Sequence, residues 1–189
     1  MKIQDLTIDQ FQRLAAIEMS PVLSDMDKRV GVVAITEGIS VELVREMQAS
    51  KLTKHYRTII DQWNELPAMQ FKSRFKAGGK WWKPTLFTDE LTAGQLIELM
   101  DYKTTDEKAL VQDLHKIMAT LTCECRFYKW LPKKYDGGGH AERASLMKHH
   151  ATMGDVWGVV SFFLLSSESY LQVLSDYSKH LMTKVEDLK

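Results

Sequence analysis

The sequence predicts a mainly α-helical, multi-helix domain with one small β-hairpin, and three observations support this. Apolar residues recur at three- and four-residue steps along most of the 189-residue chain, which is the spacing of one helix face. A period of two appears at about 70–87. The apolar run 156–165 is about half the ~20 residues of a membrane span, so we place it in a core. We expect a single domain over 1–178 with a hairpin insertion at 70–87, and a polar tail over 179–189.

Four helices are predicted before the hairpin, from their capping residues and apolar stripes. Thr7, Ser24 and Ser40 each directly precede a helical pattern, as N-cap residues do. Gly38 is the expected end of the second helix, because glycine accepts the left-handed conformation at a helix C-terminus. The third helix is expected to reach Gln48, and a fourth to follow over about 51–66.

The hairpin is predicted to carry a partner-binding surface. Its aromatic side chains have more area than a two-stranded ribbon can bury in itself, and basic residues surround them, as at a protein contact surface. Because a lone hairpin is marginally stable, we also expect one of its faces to pack on the helices. Trp81 and Trp82 are adjacent and must point to opposite faces. The predicted partner-binding residues are Phe75, Trp81, Trp82 and Lys83.

Helices are expected again after the hairpin. The patterns predict helix starts at Thr88 and Thr104, a short charged helix over 140–150, and a bend before Gly154. The helix after this bend is the most apolar of the chain, and we expect it to be the central helix of the domain. Its predicted inner stripe begins with Val156, Val159, Val160 and Phe163.

Composition narrows the classes of partner. Lys plus Arg and Asp plus Glu both number 25, so the formal net charge is zero. We therefore expect neither nucleic acid, whose phosphates favour a basic surplus, nor a membrane as partner. The chain has two cysteines and a polar beginning without a signal-peptide pattern, which predicts a reducing compartment.

Two groups of residues could carry chemistry. Cys123 and Cys125, with His140, His149 and His150, have the atoms of a zinc site, but the side chains of a Cys-x-Cys pair on a helix diverge. We therefore expect no metal, no cofactor and no enzymatic activity. A small cytosolic enzyme or metal-binding protein that uses these cysteines and histidines stays open as the alternative.

The run of three glycines ahead of residue 140 allows two interpretations. It could hold a phosphate before a helix, since helix N-termini bind anions, or it could be a linker between helices. The run lacks the Gly-Lys-Ser/Thr ending of a P-loop, so we favour the linker.

Several segments, taken in order, resemble a known family. They are residues 27–40 (DKRVGVVAITEGIS), the Trp-Lys-Pro end of the hairpin at 82–84, residues 91–99 (LTAGQLIEL), residues 134–143 (KYDGGGHAER), and the later pairs around 155–156 and 162–165. This order is similar to small proteins from the structural gene blocks of tailed bacteriophages, notably Bacteroidetes-infecting, crAss-like and T4-like ones. Such proteins are often labelled tail assembly chaperones or small virion proteins.

The resemblance implies a role but no site residues. It implies a non-enzymatic protein that binds other phage structural proteins, either during tail assembly or as a structural or cargo component of the virion. Self-association is a further expectation and comes from the net charge of zero, which leaves little repulsion between two copies. The expected location is the virion or the host cytoplasm.

Overall fold

The computed structural model describes residues 2–64, 71–85, 90–102, 107–126 and 131–162, and it confirms a mainly α-helical fold with one small antiparallel sheet. The helices are α1 (Ile8–Glu18), α2 (Asp25–Glu37), α3 (Val41–Arg45), α4 (Ala49–Asn64), α5 (Ala93–Asp101), α6 (Glu107–Leu121), α7 (His140–His150) and the helical residues 153–162, here α8. The strands are β1 (Phe75–Ala77), β2 (Lys80–Pro84), β3 (Thr122–Arg126) and β4 (Leu131–Pro132). Short 3-10 turns lie at Ile3–Asp5 and Gly137–Gly139.

The first three helices begin at the predicted caps. The side-chain oxygens of Thr7, Ser24 and Ser40 each accept a hydrogen bond from the backbone N–H three residues later, and a cap of this kind contributes about 1 kcal/mol. Gly38 ends α2 with a φ of 67°. The third helix is shorter than predicted, because the Gln48 carbonyl accepts the first hydrogen bond of α4 and so belongs to the next helix.

The N-terminal segment is joined to the link between α7 and α8. Ile8 N–H donates to the Ala151 carbonyl at 3.1 Å, and Met153 N–H donates to the Leu6 carbonyl at 2.8 Å. The side chains of Leu6, Ile8 and Ala151 are fully buried here. These contacts bring the two ends of the described chain onto one core, which α6 crosses with Ile117 and Met118.

Helix α8 is buried on one side only. Val156, Val159 and Val160 are buried as predicted, whereas Trp157 is 37% exposed. Within residues 153–162, α8 therefore has one buried face and an exposed residue on the other, although the sequence is apolar on nearly every side. Phe163, the rest of the predicted stripe and the tail 179–189 lie outside the described residues.

The predicted hairpin is part of a larger sheet. Gly78 and Gly79 have φ values of 56° and 77° and make the two-residue turn between β1 and β2. The strand order is β1-β2-β3-β4, and all pairs are antiparallel. The sequence did not predict β3 or β4. Pairing with β3 and β4 doubles the number of strands, and a hairpin needs such support to be stable.

One predicted helix start changes after the sheet. The helix expected from Thr88 begins at Ala93, because Thr92 and Gln95 form a reciprocal capping box and Glu90 and Leu91 are not helical. Thr88 itself and Thr104 lie outside the described residues. The short charged helix over 140–150 is confirmed with the predicted bounds. Within the described ranges, no helix combines the length and the apolar character needed to cross a membrane.

Candidate functional site

One face of the sheet belongs to the core. Phe75 pairs with Trp82, and Trp82 pairs with Glu124, so these three residues share a face. Phe75 is 3% exposed and Trp82 is 1% exposed, and the indole N–H of Trp82 donates to the Ala77 carbonyl at 3.0 Å. A partner cannot reach these two side chains in the folded chain. Their predicted role in partner binding is therefore corrected to a role in the core.

The opposite face carries the other two predicted partner-binding residues. Trp81 and Lys83 are both half-buried and alternate with Trp82 along β2. The sheet therefore separates the adjacent tryptophans as expected, with Trp82 directed to the core. We call the set Trp81, Lys83, Cys123 and Cys125 the outer face.

The cysteines reach this face for a reason that the sequence analysis missed. They lie on a strand and not on a helix, and Lys83 is the cross-strand partner of Cys123. Residues i and i+2 of a strand point to the same side. The expectation that the Cys-x-Cys side chains diverge is therefore wrong.

Both cysteines are free and half-buried. Burial raises the pKa of the Cys123 thiol above its ordinary value, although a hydrogen bond with Thr85 and the positive charges of Arg143 and Lys83 oppose this. Among the described residues, no group of three or more His, Cys, Asp or Glu side chains is placed to hold a metal ion. His149 and His150 are exposed in the last turn of α7, and His140 is engaged elsewhere.

A cleft of about 190 Å³ lies between the core side of the sheet and the start of α7. Glu124 lines it, with its carboxylate 2.8 Å from Lys133 Nζ and 3.4 Å from Lys80 Nζ. Partial burial pushes the pKa of Glu124 up, but the two ammonium groups outweigh it and the pKa lies below its ordinary value. The two lysines of the cleft are thus already paired with a carboxylate of the chain itself.

The glycine run forms one wall of this cleft. The Asp136 carboxylate accepts a hydrogen bond from Gly138 N–H at 2.9 Å. This amide is therefore already hydrogen-bonded to a side chain of the same protein. A Cβ on Gly139 would lie 3.2 Å from Nη1 of Arg143, whose guanidinium sits 4.7 Å from the Tyr135 ring centre. The arrangement favours the interpretation of this run as a structural turn into α7 over that of a phosphate cradle.

A polar network behind the cleft joins α5, α6 and α7. The Tyr135 hydroxyl donates to the Glu98 carboxylate, which also accepts from Thr120 Oγ1 at 3.1 Å. His140 Nε2 lies 3.0 Å from the same Thr120 oxygen, and Tyr102 stacks on the His140 ring. Burial, and then Glu98, raises the pKa of Tyr135 to about 12. At neutral pH this tyrosine is a hydrogen-bond donor, so the network ties the helices together through a shared carboxylate.

Exposed apolar side chains are frequent from the end of α1 to α3. Val22 is 87% exposed, and in the same segment an ion pair of Arg45 with Asp27, which measures 3.1 Å, joins α3 to α2. We define the apolar patch as Met19, Val22, Leu23, Met26, Val41 and Leu43. The sequence patterns did not predict this patch. The available signal was the pair of large apolar residues, Val22 and Leu23, directly after Pro21 in the connector between α1 and α2.

A separate apolar groove of about 260 Å³ lies beside the other side of α1. It is lined mainly by apolar side chains, among them Ile3, Phe11, Val32, Tyr56 and Ile60, with Glu18 as its acidic member. The N-terminal helices thus present both an exposed patch and a concave surface.

Comparison with known proteins does not assign the chain to a family. No family model, no curated protein and no solved structure matches it.

Proposed function

We propose that this protein is a non-enzymatic bacteriophage protein that binds other phage proteins, in tail assembly or as a structural or cargo component of the virion. The resemblance in segments 27–40 and 134–143 motivates the phage assignment. The apolar patch is the observation that carries the binding role.

The patch supports protein binding through its composition and position. Exposed apolar side chains grouped beside charged residues are typical of contact surfaces. Val22 and Met26 are the most exposed members on the α1–α2 side, and each large side chain contributes roughly 1.5–3 kcal/mol when fully buried. Because the net charge is zero, little electrostatic repulsion opposes association, whether with another protein or with a second copy.

The outer face is a second candidate surface. Trp is enriched in interface hot spots, and Trp81 lies with Lys83 on the side of the sheet away from Trp82. Binding through this face requires no opening of the core, unlike binding through Phe75 or Trp82.

The proposal is tested by mass spectrometry of purified phage particles and of the infected cells that produced them. A virion component is present in the particles in defined copy number, whereas an assembly chaperone is present in the cells and absent from the particles. Absence from both would contradict the proposal.

The patch itself is tested by the variant Val22→Asp, with Ile97→Asp as a matched control, since Ile97 is also an exposed apolar side chain but lies outside the patch. Co-purification with the phage proteins found associated with the wild-type chain should be lost in the first variant and retained in the second. Sedimentation of the chain alone separates self-association from binding to a different protein. Equal co-purification of both variants would exclude the patch as the binding surface.

A further inference from the structure

The two thiols of β3 form a pair with a defined spacing. Cys123 and Cys125 are separated by one residue in a regularly paired strand, and they point to the same side. A strand rises about 3.3–3.4 Å per residue, so their Cα atoms are roughly 6.7 Å apart. Both residues are half-buried, on the outer face that also carries Trp81 and Lys83.

This spacing suits a bridged pair better than a disulfide. A disulfide places Cβ atoms about 3.5–4.5 Å apart with converging bonds, whereas parallel side chains of one strand keep them near the Cα separation. A metal ion bound to two thiolates at about 2.3 Å each spans up to roughly 4.6 Å between the sulfurs. Rotation of the two side chains about their Cα–Cβ bonds can reach that span without breaking the pairing of β3.

The number of ligands selects the class of ion. Zinc in structural sites takes four protein ligands, and the described residues offer no third His, Cys, Asp or Glu beside this pair. Thiolates are soft ligands that favour Cu(I), which is stable with two of them in a linear arrangement. Two thiolates and Cu(I) have a net charge of −1, and the Lys83 side chain, cross-strand from Cys123, supplies a compensating positive charge.

We propose that Cys123 and Cys125 form a two-thiolate site for a soft monovalent metal ion, Cu(I). Binding forms two sulfur–copper bonds, breaks two S–H bonds and releases two protons to solvent, with no change in oxidation state. The site does not depend on the proposed phage function.

The test uses the reduced full-length chain, with Cu(I) supplied anaerobically in competition with a coloured Cu(I) chelator. The expected result is one Cu(I) per chain and two protons released per ion. Loss of a residue that only contacts a metal ligand already weakens metal affinity by about 10–100-fold. Cys123→Ser or Cys125→Ser removes a ligand itself and should therefore weaken Cu(I) binding by at least about 100-fold. Ten methionines and six histidines offer competing ligands, so Met26→Leu serves as the control and should bind as the wild type does.

Circular dichroism verifies that each serine variant is folded. The two single variants are measured separately, so the test still holds if one of them fails to fold. Retained affinity in the single variants, or in the double variant, would overturn the proposal. So would Cu(I) binding that occurs only together with dimerisation in size-exclusion chromatography, because the thiolates would then bridge two chains.

Discussion

The two sides of the sheet differ in what their aromatic residues do, although those residues are neighbours in sequence. Trp82 is buried in the core with its indole N–H donating to the Ala77 carbonyl, while Trp81 lies on the outer face with Lys83. The core side continues into the cleft and the network around Glu98. One step along a strand therefore separates a residue of the core from one on the outer face of the sheet.

The largest expected effect comes from the two tryptophans. Trp82→Ala should lower the free energy of unfolding by about 3–5 kcal/mol, because it leaves a cavity in the core and removes a buried hydrogen bond. Trp81→Ala should cost much less and instead weaken association with a partner. Thermal melts and co-purification of both variants, with Trp82→Phe as a milder substitution, measure the difference. Equal melting temperatures for the two alanine variants would abolish the distinction between the faces.

The hairpin turn offers a matched pair with a smaller effect. A Cβ on Gly78 would lie 2.8 Å from Cγ of Leu146 in α7, whereas nothing lies within 4 Å of a Cβ on Gly79. Both glycines have positive φ, so alanine is strained at either position. Gly78→Ala should therefore be less stable than Gly79→Ala by about 1–3 kcal/mol, the usual cost of overpacking. Denaturant unfolding of both variants tests this, and a larger loss in Gly79→Ala would show that α7 does not pack on the turn.

The stability that the polar network behind the cleft provides should depend on the hydroxyl group of Tyr135. Tyr135→Phe leaves Glu98 without its tyrosine donor and should cost about 1–3 kcal/mol at pH 7. Because the folded-state pKa of Tyr135 is raised to about 12 from 10, its contribution is fully present below pH 10 and is lost as the pH rises towards 12. Urea unfolding of wild type and variant between pH 8 and 11.5 measures this. The stability difference should shrink above pH 10, and a constant difference would contradict the assignment.

The smallest expected effect on stability is at the apolar patch. Val22 is 87% exposed, so Val22→Asp should change the free energy of unfolding by no more than about 0.5 kcal/mol. Its effect is expected in association alone. A melting temperature lowered by several degrees would show that Val22 packs within the chain and that the patch is not an open surface.

Much of the helical part could be predicted because its signals are local. A capping serine or threonine bonds to a backbone N–H three residues away, so the starts of α1 and α2 follow from short segments. The same holds for the turn at Gly78 and Gly79, whose positive φ values favour glycine. The start of α5 was predicted at Thr88, whereas Thr92 caps the helix and Gln95 completes the capping box there.

The outer face could be predicted only in part. Alternation along β2 required Trp81 and Trp82 to point in opposite directions, but it could not say which one faces the core. That choice depends on α7, which lies about sixty residues further along the chain and packs Leu146 against the turn at Gly78.

Tertiary structure alone decided the environment of the two cysteines. The pattern of α6 continues up to Leu121 without a breaking residue, so nothing local announces a strand at Thr122. The strand forms because β2 offers an unpaired edge, and the registers Trp82–Glu124 and Lys83–Cys123 satisfy the backbone groups of both segments. Hydrogen bonds between segments forty residues apart cannot be predicted from the local periodicity of the sequence. Only the folded chain therefore shows that Cys123 and Cys125 lie on the same side of a strand.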